Sequence, residues 1–477
     1  MPELSRTEDP TPQSRSRFAL SWCDITPPAN IYHRMWGAAK HERATGIHRP
    51  LRATVAMFAD MQGKQRQILL ALDHCVMGAT EHAQLVAQAA EIGGVAQEEV
   101  LVVFSHTHGA GLMGLDRATL PGGDLIPPYL HSLGERAGRL VKQCLASLAP
   151  AGIVYGRGRC SLATQRDFWD GTQYICGHNP GAPADDSVIV ARVTADDGKT
   201  LASIVNYACH PTTLAWENTL ISPDYIGAMR EVVERETAAP CLFLQGASGE
   251  LGPREGFVGD TAVADRNGRE LGYAALSALT ALPAAGTTFV YQGAVVSGAT
   301  LGAWKHEKMN VEAKADWKLQ RWHEPLRYRP GQPTVAQVQA ELDHFQAAEA
   351  VARAAGDDTQ AAECRAMSER KTRLLHKLHQ MPPGDCYPLQ VVLWHMGDSV
   401  WVGVQGESYS VLQTELRRRF PDKVIIVATI AADWGASYLP PRELYDSGIY
   451  QESIAVVAAG SLEQLIESIS KRLLDLA

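Results

Sequence analysis

The sequence predicts an α/β fold: layered mixed β-sheets flanked by helices, with a helical-hairpin insertion. Three observations lead there. Short apolar runs alternate with segments of helical periodicity. Turn signals join some of those runs into hairpins, while helices separate others, so both antiparallel and parallel pairing are expected. One long segment rich in Ala, Gln and charge has helical spacing throughout and no strand signal.

The elements follow in order. "LRATVAMFAD" (51–60) and "QILLALDHCVM" (67–77) read as buried strands, and "TEHAQLVAQAAEIGG" (80–94) as a helix stopped by glycine. "EVLVVFSHTH" (99–108) is the next strand, followed by a loop and the helix "YLHSLGERAGRLVKQCLASL" (129–148). "SVIVARVTADDGKTLASIVNYACH" (187–210) holds two strands around an Asp-Gly turn. "CLFLQG" (241–246) is a strand entering a Gly-rich loop, and "LQVVLWHMGDSVWVGVQGES" (389–408) a second hairpin turning at Gly397-Asp398. Between them, 334–381 carries apolar residues at helical spacing (Val338, Leu342, Phe345, then Met367, Leu374, Leu378) and a break at "AAGDD". It reads as two antiparallel helices inserted in the main domain, after a flexible polar tail over 1–17.

Composition excludes several function classes. The formal net charge of -9 over 477 residues argues against nucleic-acid binding, which needs a basic face. Apolar runs are too short for stable membrane insertion, and the start lacks the apolar core of a signal peptide. Nine cysteines, an odd number with no CxxC pair, suit a reducing compartment. A cytoplasmic protein acting on a small molecule is expected, with no nucleic-acid partner; a homo-oligomer is compatible with the sequence.

Three strand ends carry candidate chemistry. In "FSHTHGAG", His106 and His108 stand at i and i+2, so on a strand they would share a face and could meet one ion or one substrate. Histidines there also satisfy backbone groups, so both readings stand. "IVNYACHPTTL" puts His210 at the end of another apolar strand, and "VWVGVQGESYSVL" puts Glu407 after a third, opening an expected helix. A carboxylate at that place either favours a helix N-terminus or ligates a metal. Strand ends in layered α/β folds are where sites collect. Two histidines and one carboxylate with an open position form a known catalytic zinc set, whose chemistry is hydrolysis of an amide or ester.

The motifs "SHTHGAG", "NYACHPTTL", "GELGPR", "VQGES" and "ASYLPP", with "DITPP" and "TGIHRPLRA" before them, stand in the order seen in neutral (non-lysosomal) ceramidases. The chain resembles that superfamily from about Phe18 onward. The resemblance implies a Zn2+ ion held by His106, His210, Glu407 and Tyr438, with catalytic roles for Glu407, Tyr438 and His108, the last assisting the oxyanion or passing a proton. Asp224 would orient a ligand histidine or cap a helix, and His48 and Arg254 would lie near the pocket.

One departure stands out. Family members carry a "GDVSPN"-like loop whose serine takes part in cleavage. Here the loop is "QGASGELGPRE", and Gly252 stands where that serine would be. Ser248 is out of register and is expected to shape the turn. The backbone of this loop, Gly249 included, could bind an anion. The expectation is a zinc-dependent hydrolase cleaving an amide of a soluble N-acyl compound through activated water. The alternatives are an esterase or lactonase with the same zinc, and a non-catalytic zinc-stabilised binding protein.

Overall fold

The computed structural model describes residues 7–476. An eight-stranded mixed sheet forms the larger part. In chain order its strands are β1 (Gln13–Asp24), β2 (Arg52–Ala59), β3 (Arg66–Leu72), β4 (Val100–Phe104), β5 (Ala149–Arg159), β6 (Ser187–Ala195), β7 (Thr200–Tyr207) and β8 (Cys241–Gln245). In space they run β8-β7-β6-β5-β1-β2-β3-β4. The two edge pairs, β7/β8 and β3/β4, are parallel, and every pairing between them is antiparallel.

The flexible tail expected over 1–17 does not hold as drawn. Residues 1–6 lie outside the described residues, but Gln13, Ser14 and Ser16 are buried in β1. Their polar side chains find partners inside: Ser14 Oγ donates to Met396 O and Ser16 Oγ to Ala59 O. A polar, Arg- and Ser-rich stretch thus becomes a central strand because each buried group is satisfied.

A smaller, four-stranded sheet runs β9 (Trp317–Arg327), β10 (Cys386–Met396), β11 (Ser399–Val404), β12 (Val424–Ala428). The two sheets pack face to face. Phe58, Leu101, Val103, Ile153 and Leu244 of the large sheet share one core with Val392, Trp394, Trp401 and Ile426 of the small one. Helices α1 (Ala79–Gly93) and α2 (Ile126–Ser147) cover the outer face at the β4 edge. Helices α3 (Tyr225–Thr237) and α4 (Thr261–Thr280) cover it at the β8 edge. The C-terminal helix Ser461–Leu476 covers the small sheet. This is the layered α/β architecture with mixed sheets. No helix among the described residues is long and apolar enough to cross a membrane.

Helices α5 (Val335–Ala355) and α6 (Asp358–Gln380) form a hairpin between β9 and β10. Gly356, at φ 74° after α5, supplies the left-handed turn between them. The hairpin is docked by a buried carboxylate: Glu369 accepts from Arg117 at 2.8 Å, and Arg373 one turn along α6 holds the same carboxylate in place.

One short segment decides where chemistry can sit. After β12 the chain runs between the two edges of the large sheet. Thr429 N donates to Gln245 O at the end of β8, and Ala432 N donates to Val102 O in β4. Phe104 N of β4 donates back to Ile430 O. Residues 429–432 therefore tie together edges that lie seven strands apart in sheet order. The C-terminal ends of β4, β7, β8 and β11 converge beside this tie.

Candidate metal centre

His106 leaves β4 two residues after the strand ends, with φ 67°. Its N–H donates to His74 O, and its ring Nδ1–H donates to Cys75 O at 2.9 Å. His210 follows β7; its N–H donates to Leu251 O and its Nδ1–H to Ser248 O at 2.8 Å. In each ring a backbone carbonyl takes the Nδ1 proton, so each Nε2 presents a lone pair. Those two Nε2 atoms are 3.0 Å apart.

Two oxygens join them. Glu407 Oε2 is 3.3 Å from His106 Nε2 and 3.2 Å from His210 Nε2, and Tyr438 OH is 3.3 Å from His210 Nε2. Glu407 does not open a helix, as its sequence context suggested. Gly406, at φ 84°, turns the chain so that Glu407–Ser408 pairs in parallel with Tyr438–Leu439. Glu407 and Tyr438 are direct register partners in that bridge. Trp434 Nε1 donates to Glu407 Oε1 at 2.7 Å, which leaves Oε2 buried with no hydrogen bond among the described residues.

Four ligand-type atoms thus face one point, all on buried residues, and of the four only the Tyr438 hydroxyl can both donate and accept. Lone pairs 3.0 Å apart repel, and burial denies them water. Burial pushes the His210 pKa down to about 3, helped by Arg166. Burial also pulls against charge on His106, but Cys75 and Glu407 outweigh it and lift that ring to about 10. For Glu407 burial opposes ionisation, yet His106 and His210 hold it well below the usual carboxylate range. Without a cation, a proton on His106 and the Tyr438 hydroxyl proton are what hold the cluster together; with a cation the four atoms become ligands. His106, His210 and Glu407 lie close enough to share one ion, and two imidazoles with a carboxylate and a phenol form a donor set suited to zinc. Backbone strain gathers here: His106, Ile430, Ala432 and Ser437 all have positive φ without being glycine.

His108 does not share a strand face with His106, because β4 ends at Phe104 and His108 opens a 3-10 turn. The rings meet nonetheless, edge to face at 4.9 Å. His108 Nε2 is buried with no partner among the described residues, and burial, then His106 and His210, hold its pKa well below the ordinary value.

Sequence reasoning missed Arg166. Its Nη2 donates to Gly249 O (2.7 Å) and to Tyr438 OH (3.1 Å), and lies 3.5 Å from His210 Nε2. "QRDFW" has no periodicity and no motif that would single it out. Trp434 was also missed, though it lies in the same loop as Tyr438.

The other expected site residues are placed as follows. Ser248 backs onto His210 from the Nδ1 side, and its Oγ accepts from Gln245 Nε2 at 2.7 Å. It shapes the turn and stands away from the four ligand-type atoms. Gly249 is required for space: a Cβ would lie 2.8 Å from the Tyr409 ring and 2.9 Å from Glu407 O. Gly252 has room, with Arg166 Cδ at 3.6 Å and Thr212 Oγ1 at 3.8 Å from a notional Cβ. Asp224 accepts from Leu214 N and Tyr225 N, capping α3 and holding the loop after His210 rather than its ring. His48 pairs with Ser222 Oγ and Asp265, and Arg254 is exposed, with no contact to the centre. Four N–H groups of this loop backbone, that of Gly249 included, are already engaged. The N–H groups of Gly246, Ala247, Gly249 and Leu251 donate to Tyr207 O, Gln413 Oε1, Ser408 O and Ser248 O.

The chain matches no family model and no curated protein. Among solved structures it is similar to a ceramidase complexed with C2, at 15% identity and a TM-score of 0.66, covering 97% of this chain and 74% of that one. It is likewise similar to the neutral ceramidase from Pseudomonas aeruginosa, at 17% identity and a TM-score of 0.65, with the same coverage. The chain has a neutral ceramidase-like fold.

Proposed function

We propose that the protein is a zinc-dependent hydrolase that cleaves the amide bond of a soluble N-acyl compound. One observation carries the reading: His106 Nε2, His210 Nε2, Glu407 Oε2 and Tyr438 OH converge, buried and short of donors. The ceramidase-like fold supports the same chemistry. Zinc held by these four residues would supply a polarised carbonyl and a water with pKa near about 7.

The chain's own residues account for the rest. Cys75 O and Ser248 O fix both imidazole tautomers, and Trp434 fixes the Glu407 carboxylate. Arg166 is buried and anchored on Gly249 O, so its guanidinium stands ready beside Tyr438 to stabilise a developing oxyanion. His108 Nε2, buried, unbonded and held neutral, is the group placed to take a proton as it leaves the attacking water and relay it to a leaving amine nitrogen. Ser248 Oγ lies behind His210, so no serine nucleophile is needed. Nine free cysteines support work in a reducing compartment, the cytoplasm, and we take the span 18–477, extended back to the start of β1 at Gln13, as one catalytic domain.

The test is zinc content by elemental analysis, with hydrolysis of a panel of N-acyl amides and matched esters and lactones. The purified protein should hold about one zinc and favour amides. His210→Ala should lose the zinc and at least about 10³-fold in kcat/KM. A protein without metal, or a His210→Ala variant keeping zinc and full activity, sinks the reading. Turnover of esters alone makes it an esterase, and zinc with no turnover makes it a binding protein.

A further inference from the structure

The polar helix α6 buries few side chains, and Lys377 is one of them, at 6% exposure. Its ammonium sits 4.2 Å over the centroid of the Trp434 ring and 3.5 Å from Ile454 O. Among the described residues no carboxylate pairs with it. The Trp434 indole N–H is the group that donates to Glu407 Oε1. The ammonium is therefore one indole ring away from the carboxylate of the metal centre, and Glu407 supplies the charge that reaches it. Burial holds the Lys377 pKa down, to about 7.

A buried ammonium without a counter-ion is costly. A cation–π contact and one long carbonyl contact offset only part of that cost. Flexibility does not relieve it either, because the Glu369–Arg117 bond seats α6 two turns before Lys377. The arrangement fits a lysine whose counter-ion arrives with the substrate.

A second set of side chains meets the centre through His108. Trp36 lies 5.1 Å from the His108 ring, with Phe257 at 5.7 Å and Trp216 at 6.3 Å from Trp36. Trp216 is 39% exposed, so this aromatic wall opens to solvent. It suits an apolar chain. If the acyl chain lies there, the negative charge belongs to the amine portion.

We propose that the substrate is an N-acyl amino acid, its carboxylate received by Lys377 over Trp434 and its acyl chain lying on Trp36, Trp216 and Phe257. The proposal rests on the amide-hydrolase reading, and the experiment separates the two. The probes are N-octanoylglycine and N-octanoylglycinamide, equal in length and different in charge. Zinc-loaded wild type, Lys377→Met and Lys377→Arg are compared by hydrolysis and by calorimetric binding.

Wild type should prefer N-octanoylglycine by about tenfold or more in kcat/KM. Lys377→Met should remove about 30-fold of that value, mainly through KM, and leave the glycinamide within about threefold. Lys377→Arg should recover most of the loss. Equal handling of both probes by wild type, or an equal loss on both in a folded Lys377→Met variant, overturns the carboxylate site while the hydrolase reading stands. Tighter binding of N-octanoylglycine that Lys377→Met abolishes, without hydrolysis of either probe, supports the carboxylate site and sinks the hydrolase reading. Should Lys377→Met fail to fold, Lys377→Gln takes its place: tighter wild-type binding of N-octanoylglycine that Lys377→Gln abolishes supports the proposal, and equal wild-type affinities for the two probes, or a preference that Lys377→Gln keeps, overturn it.

Discussion

Two polar clusters that include histidine follow strand or loop ends, and only one is built like a metal centre. His48 Nδ1 faces Ser222 Oγ at 2.9 Å, and its Nε2 faces Asp265 Oδ1 at 3.1 Å. Arg49 shares Asp265, and a further ion pair joins Arg49 to Glu231. Each polar atom there meets its complement, so the cluster is a finished piece of structure linking the 48–49 loop to α3 and α4. Around His106 and His210 the opposite holds. Their Nδ1 atoms are satisfied, but the Nε2 atoms face each other and a carboxylate oxygen. The difference teaches that a histidine with both ring nitrogens partnered does not mark a site; unsatisfied acceptors converging on one point do.

Three substitutions probe that contrast. The largest effect is expected at Arg166, which belongs to the unsatisfied centre. Arg166→Met should lower kcat by about 10²–10³-fold while zinc content stays at the wild-type level, because it removes a charged donor and no ligand. Loss of the metal in that variant would mean Arg166 holds the centre together instead. At the finished cluster, His48→Gln should cost about 1 kcal/mol of unfolding free energy in urea titration and leave zinc content unchanged. A drop in zinc there would break the distinction between the clusters. The smallest effect is expected at Ser248→Ala, with kcat within about threefold of wild type. A fall of about 10⁴-fold would instead restore a serine-dependent scheme.

Much of this was legible in the sequence. The strands carrying His106, His210 and Glu407 announce themselves as apolar runs, and the order of short motifs leads to Tyr438. What did not carry over was the geometric argument: His106 and His108 come together through a left-handed residue and a 3-10 turn, not a shared strand face. Glu407 likewise sits in a two-residue bridge rather than at a helix start. Arg166, Trp434 and Lys377 were invisible for a common reason. Their surroundings are supplied by distant parts of the chain: Arg166 meets Tyr438 across 272 positions, and Lys377 meets the carbonyl of Ile454 across 77. No local pattern encodes such contacts. The tail misreading has a related origin, since β1 is buried by polar side chains whose partners lie as far off as Met396.

The bridge between Glu407 and Tyr438 also constrains how this chain can change. Two short strands in parallel register couple the two residues mechanically, so neither can be re-aimed alone. Because side chains alternate along a strand, a slip of one residue would turn Tyr438 to the opposite side. Insertions or deletions between Ala428 and Tyr438 should therefore act as all-or-none lesions. Length changes at the exposed turn between α5 and α6 should be absorbed gradually.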